Sequence, residues 1–184
     1  LTVRDLLGVD SHQAENFVAD PVVGGFNNNA AALVVSPVLA DQLRTAAETL
    51  ATEALRTPTR ILPCTPASAT DMTCARNFIE TFGRRAFRRP LTMTETQRYL
   101  ALHMQIATGE GFNEGAEAVV TAMLQSPNFL YRSELGTADA NGYRLTSWEV
   151  ASELSYLLWQ SMPNDALFTA AQSGGLDTAQ GIEA

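Results

Sequence analysis

Residues 71–95 read Asp71-Met-Thr-Cys-Ala-Arg-Asn-Phe-Ile-Glu-Thr-Phe-Gly-Arg-Arg-Ala-Phe-Arg-Arg-Pro-Leu-Thr-Met-Thr-Glu95, and they decide the fold class. Ala75, Phe78, Ile79, Phe82 and Ala86 recur at the spacing that lays one apolar stripe along a helix. Asp71 or Thr73 supplies its N-cap, and the helix must stop before Pro90, because proline excludes its predecessor from the helical region. Thr92 and Glu95 then form a capping box: the hydroxyl reaches forward to a free N–H while the carboxylate reaches back. Tyr99, Leu100, His103 and Ile106 follow on one face of the helix so started.

The same reading extends in both directions. Upstream, Ser36-Pro37 joins an N-cap hydroxyl to the one helical position where proline's missing N–H costs nothing, and an apolar stripe runs on to about Arg56. Val3, Leu6 and Leu7 with Gly8 behind them predict a helix already under way at the start, and residues 9–35 read as a loop with short helical pieces. Downstream, Phe112, Ala116, Val119, Val120, Met123 and Leu124 write another helix, and Ser126-Pro127 opens a short turn through Tyr131. Thr146 and Glu149 repeat the capping box, and a last helix spans about 165–172. No alternating stretch longer than four residues is convincing as a strand. The expectation is all-α: an irregular bundle of about six or seven helices with a Pro-rich loop.

Four domain segments are expected. Residues 1–56 form a helical segment truncated at its start, and residues 57–71, with three prolines, form a linker. Residues 72–136 form a central helical domain carrying the Arg-rich motif. Residues 137–184 begin a further helical domain, truncated at its end.

The 184 residues carry 12 arginines, no lysine and 20 acids, a net charge of −8, which disfavours a nucleic-acid partner because the field would repel the polymer. The apolar run at 30–35 is too short to span a bilayer, so no transmembrane segment is expected in this chain. Cys64 and Cys74 enclose nine residues of the Pro-rich loop. That placement favours a disulfide over two buried reduced thiols, and a disulfide points outside the cytoplasm.

Arg84, Arg85, Arg88 and Arg89 are the densest polar feature, four cations in six positions. On a continuous helix they share a face, where guanidinium forks can clamp carboxylate, phosphate or sulfate. The competing reading has them cover the last helical turn and pair with Glu80, Glu95 or Glu134. Trp148 and Trp159 lie with Tyr156 at roughly helical spacing, a core stripe more readily than a ligand platform, yet both remain binding candidates. Nothing forms a nucleophile elbow, a phosphate-binding glycine loop or a dinucleotide fingerprint, so no catalytic residue is assigned. His12 and His103 lack neighbouring ligand motifs; the pairs Glu114 with Glu117 and Glu149 with Glu153 are of a kind frequent on solvated helices, and Glu114 and Glu149, the first member of each, read as helix-start chemistry. Asp20 with Asn27, Asn28 and Asn29 offers oxygens to a hard cation, but loop capping explains them better. No metal and no cofactor is therefore expected.

Several of these stretches together resemble a known family. Residues 2–10, residues 25–33 with Ser36-Pro37, residues 74–92, Leu124-Gln-Ser-Pro-Asn-Phe-Leu-Tyr-Arg132 and Glu153-Leu-Ser-Tyr-Leu-Leu-Trp159 are similar to successive motifs of the planctomycete-specific domain proteins. These are large secreted proteins of planctomycetes and myxobacteria, built of consecutive domains of unknown function, some fused to a cytochrome c. The resemblance implies a piece of a longer protein, beginning within one domain and ending just inside a third. Where the family shows Gly-Phe-Asp-Asn this chain has Asn27, one carboxylate fewer, and no Cys-x-x-Cys-His is present to hold haem.

The expected function is an extracytoplasmic (periplasmic, cell-envelope or secreted) helical module. It would bind protein or act as a scaffold within a larger envelope protein, in a redox-associated setting. Its expected partners are the other domains of its own longer chain and an envelope protein. The alternative is a non-catalytic portion of a secreted hydrolase acting on polymers, with the active centre in the missing part.

Overall fold

A computed structural model describes residues 1–25, 33–139 and 142–183. Among them are nine α-helices: α1 (Thr2–Leu7), α2 (Pro37–Leu55), α3 (Met72–Phe87), α4 (Met93–Ala107), α5 (Phe112–Leu124), α6 (Pro127–Leu130), α7 (Ser147–Trp159), α8 (Asp165–Gln172) and α9 (Ala179–Glu183). Six of these have eight residues or more, and α1, α6 and α9 are short turns of helix. A small antiparallel hairpin, β1 (Thr137–Asp139) and β2 (Gly142–Arg144), precedes α7. The fold is all-α in character, as the sequence predicts. The asparagines at 27–29 lie outside the described residues.

The helix starts follow local chemistry. Ser36, Asp71, Thr92 and Thr146 each accept N–H groups of the first turn, and both capping boxes close reciprocally. Asp71 is the N-cap of α3; its carboxylate takes the N–H groups of Thr73 and Cys74, and that of Ala67 from the preceding loop.

The main core lies where α2, α3, α4 and α5 meet, with α1 laid against it. α5 is its centre: Ala116, Val119, Val120 and Met123 are completely buried. Phe78 and Ile79 of α3 are buried likewise. A smaller apolar cluster, Ala151, Ala171 and Leu176 with Trp148, Val150, Leu167 and Ala170 against it, holds α7 to α8. The C-terminal helices thus carry their own modest core beside the larger one. Cys64 and Cys74 form a disulfide with Cα atoms 5.8 Å apart, closing the Pro-rich loop onto the first turn of α3.

His103 of α4 is fully buried, its ring edge-on to Phe112 at 4.6 Å, and neither ring nitrogen is within hydrogen-bonding geometry of a partner among the described residues. Burial lowers its pKa below the ordinary value, the Phe112 backbone opposing this only in part. The unfolded chain therefore binds a proton at this site near pH 6.5 that the folded chain refuses. Stability is complete above that pH and falls as pH drops below it. Urea midpoints at pH 7.5 and pH 5 should show the loss, and His103→Leu should reduce the difference while leaving the protein at least as stable at pH 7.5.

Candidate functional site

The arginine motif begins on α3 and leaves it before the motif ends. α3 stops at Phe87, and Arg88 turns left-handed at φ 59°, a conformation that glycine adopts more cheaply. The four arginines therefore do not share a helix face, contrary to the expectation from spacing. The left-handed turn sends Arg88 and Arg89 toward α6, while Arg84 and Arg85 stay on the last turn of α3.

Arg88 is only 5% exposed, and its fork is filled by carbonyls. Nη2 donates to Asn128 O at 2.6 Å and Tyr131 O at 2.8 Å, and Nη1 donates to Ala86 O at 3.2 Å and Phe129 O at 3.3 Å. One guanidinium so satisfies the final carbonyls of two helices, α3 and α6, which have no intrahelical partner. Burial pulls its pKa down from the ordinary value, with nearby Tyr156 supporting the charge, and arginine remains protonated regardless.

Arg89 forms a two-pronged pair with Glu95, Nη2 to Oε1 at 2.8 Å and Nη1 to Oε2 at 2.9 Å, while Nη2 also donates to Asn128 Oδ1. Glu95 is the capping-box carboxylate of α4, so this pair fixes the end of α3 against the start of α4. The Arg89 pair is the first cause that lowers the Glu95 carboxyl to about 2. Of the other expected partners, Glu80 pairs instead with Arg76 at 3.7 Å. Glu134 faces Glu153, whose carboxyl is raised by burial and then by that neighbour.

Arg84 and Arg85 point to the C-terminal helices. Arg84 lies 5.2 Å over the Phe168 ring of α8, and Arg85 approaches Asp165 at 3.8 Å. Arg132, outside the motif, does the same for α7: it lies 4.7 Å over Tyr156 and 3.6 Å from Glu153. Tyr156 also shares a hydrogen bond with Thr2 of α1 at 3.0 Å. These long-range roles left no local signal in the sequence.

Arg88, Arg89 and Trp148 meet at a cleft of about 320 Å³ between the end of α3, the segment around α6 and the first turns of α7. Phe87 and Tyr131 add apolar wall, and Asn128, Ser133, Thr146, Glu149 and Ser152 add polar wall. Glu149 is fully occupied: Oε1 accepts the N–H groups of Leu135 and Gly136, and Oε2 accepts the N–H and hydroxyl of Thr146. Burial pushes its carboxyl up, but these donors outweigh that and hold it below the ordinary value.

The expected tryptophan stripe does not form. Trp148 packs on Phe168 with ring centroids 6.2 Å apart, whereas Trp159 sits at the far end of α7, 37% exposed, its indole N–H donating to Met162 O. Leu157 and Leu158 beside it are 79% and 70% exposed, so the end of α7 does not carry a core face. His12 pairs with Glu15 at the surface, and Thr52 donates to Glu117. Among the described residues no cluster of His, Cys, Asp or Glu has the geometry to hold a metal ion, and no helix is long and apolar enough to cross a membrane.

Three family models match successive parts of the chain, each described as a protein of unknown function: DUF1587 over residues 1–56, DUF1595 over 74–134 and DUF1592 over 145–184. They take in everything but the joints at 57–73 and 135–144. No curated protein and no solved structure gives a significant match.

Proposed function

The chain belongs to the planctomycete-specific domain proteins, and from that premise we propose that it is a scaffolding module of a larger extracytoplasmic protein. Its arginines hold successive domains in one fixed relation and present the assembled surface to a protein partner of the envelope. The observation that carries this reading is the direction of the arginine contacts. Arg84, Arg85 and Arg132 belong to the segment matched at 74–134, and each reaches a side chain of the segment matched at 145–184. Cation–aromatic contacts of this kind contribute about 0.5–2 kcal/mol apiece, and several in concert can fix an interface that buries only modest apolar area. The Cys64–Cys74 disulfide supports a periplasmic, envelope or secreted setting, where such bonds persist. A redox association belongs to the same proposal, with any haem held elsewhere than in this chain.

The alternative, a non-catalytic portion of a secreted polymer hydrolase, draws less support. A cleft lined by several acids around both Trp148 and Trp159 would favour it; among the described residues the cleft beside Trp148 is lined by Glu149 alone of the acids, and Trp159 does not reach it.

Hydrogen exchange tests the scaffold. In the double variant Arg84→Gln/Arg132→Gln, the amides of α7 and α8 should exchange at least tenfold faster while those of α4 and α5 keep their protection. Unchanged protection in α7 and α8 would remove the arginines from this role, and uniform loss would make them general stabilisers instead of a joint between domains.

A further inference from the structure

The Pro-rich loop has a tip that neither the core nor the scaffold uses. Residues 65–70 read Thr65-Pro-Ala-Ser-Ala-Thr70, three hydroxyls with one proline and two alanines, and no charged or bulky side chain. All of them except Pro66 are exposed. The disulfide holds the two ends of the loop with Cα atoms 5.8 Å apart, so the tip is presented as a closed loop at the start of α3.

The backbone of this loop is held from within. Asp71 accepts the N–H of Ala67 at 3.0 Å, and Ser68 O accepts the N–H of Asp71 at 3.3 Å. Among the described residues, the hydrogen bonds of the loop run through Asp71 and not through the hydroxyls of Thr65, Ser68 and Thr70. Order and exposure thus coincide at three oxygens, and a group attached to them displaces no contact of the fold. A segment rich in Ser and Thr, interrupted by proline and free of charge, has the composition of chain that carries O-linked sugar. Pro66 biases Thr65 toward extended backbone, and the alanines on either side of Ser68 leave its oxygen unscreened. Attachment through asparagine is closed to this chain, which has no Asn-x-Ser or Asn-x-Thr.

We propose that the tip is a modification site, with sugar O-linked to Ser68 and Thr70, the two hydroxyls set back from both cysteines. The hydroxyl oxygen attacks the anomeric carbon of a sugar activated as a phosphate ester on a lipid or nucleotide carrier. The new carbon–oxygen bond forms as the bond from that carbon to the phosphate oxygen breaks; the carrier phosphate leaves with the electron pair, and a base of the transferase takes the proton. The attached sugar shields the joint at 57–73 from proteases, which cut exposed loop tips of small and polar residues first. The site rests on the extracytoplasmic setting proposed above and adds to it a covalent chemistry.

The chain has no lysine, so trypsin cuts at Arg60 and Arg76 and releases the tip with both cysteines as one peptide, Ile61–Arg76. The native protein is purified from fractionated source cells, and this peptide, reduced and alkylated, is read by electron-transfer fragmentation, which leaves sugar on its residue. The expected result is one or more sugar-residue masses on Ser68, Thr70 or both, lost in Ser68→Ala/Thr70→Ala expressed in the same cells. That variant removes only exposed hydroxyls, so it should keep the helical circular-dichroism spectrum, while a broad-specificity protease should cut it within the loop at least fivefold faster than the wild type. A bare peptide, a phosphate mass instead of sugar, or sugar at neither residue would overturn the proposal, and equal cleavage would overturn the shielding. The cell fraction separates this site from the reading beneath it: a bare peptide from periplasm, envelope or medium removes the sugar alone, whereas a bare protein found in the cytosol removes the setting as well.

Discussion

Arg88→Met should cost the folded protein about 3 kcal/mol, because it takes from the carbonyls of Ala86, Asn128, Phe129 and Tyr131 the one charged donor they share. Methionine keeps much of the side-chain volume, so the loss isolates hydrogen bonding from packing. The left-handed turn does not enter the difference: at φ 59° arginine and methionine carry the same strain relative to glycine. For a chain of this length the change should lower the thermal midpoint by roughly 9 °C. Arg88→Lys should fall between the two, since a single ammonium cannot reproduce a fork that reaches two helix ends. A midpoint within 2 °C of wild type for Arg88→Met would show that water or rearrangement satisfies those carbonyls.

Gly115→Val should be comparably damaging for a different reason. A Cβ at this position of α5 would lie 2.8 Å from the carbonyl oxygen of His103, 3.0 Å from Ala107 Cβ and 3.1 Å from His103 Cδ2. Two of those atoms are backbone and Cβ of α4, so no rotamer change relieves the crowding and the two helices must separate at the centre of the main core. Overpacking of this kind costs about 3 kcal/mol. Gly109→Ala is the control: its nearest neighbour would be a carbonyl oxygen at 4.0 Å, and its urea midpoint should barely move. Equal midpoints for the two variants would mean that α4 and α5 yield more readily than their contacts suggest.

What the sequence disclosed was local. Ser36, Asp71, Thr92 and Thr146 announce helix starts because a cap and its N–H groups lie within three residues of each other. The stripe from Ala75 to Ala86 marks a buried face for the same reason. The end of α3 escaped because Pro90 only bars its predecessor from the helix; nothing in Arg88 itself signals that the chain turns left-handed there, where glycine would have done so. Once that turn is missed, four arginines fall onto one face and the route of Arg88 to Asn128, about forty residues onward, is invisible. Trp148 reaching the cleft while Trp159 does not is likewise a matter of how α7 lies against α8, which no spacing along α7 encodes. The capping role of Glu149 was legible; its two further donors, Leu135 and Gly136, come from the segment just before β1, which lies outside the local span of the cap.

The disulfide has a bearing on how neighbouring domains find one another. Ten residue steps between Cys64 and Cys74 would reach about 34 Å if extended. The bond shortens that reach to 5.8 Å and removes most of the slack from the joint at 57–73 between two matched domains. A shorter tether raises the effective concentration of each domain at the other's surface, so docking of α1 and α2 onto α3 and α5 behaves as a nearly intramolecular closure even if each contact is weak. Reduction would restore the slack at the edge of the core, where Cys74 is buried and Cys64 packs against it. The joint thus sets the odds of assembly, while the helices set its geometry.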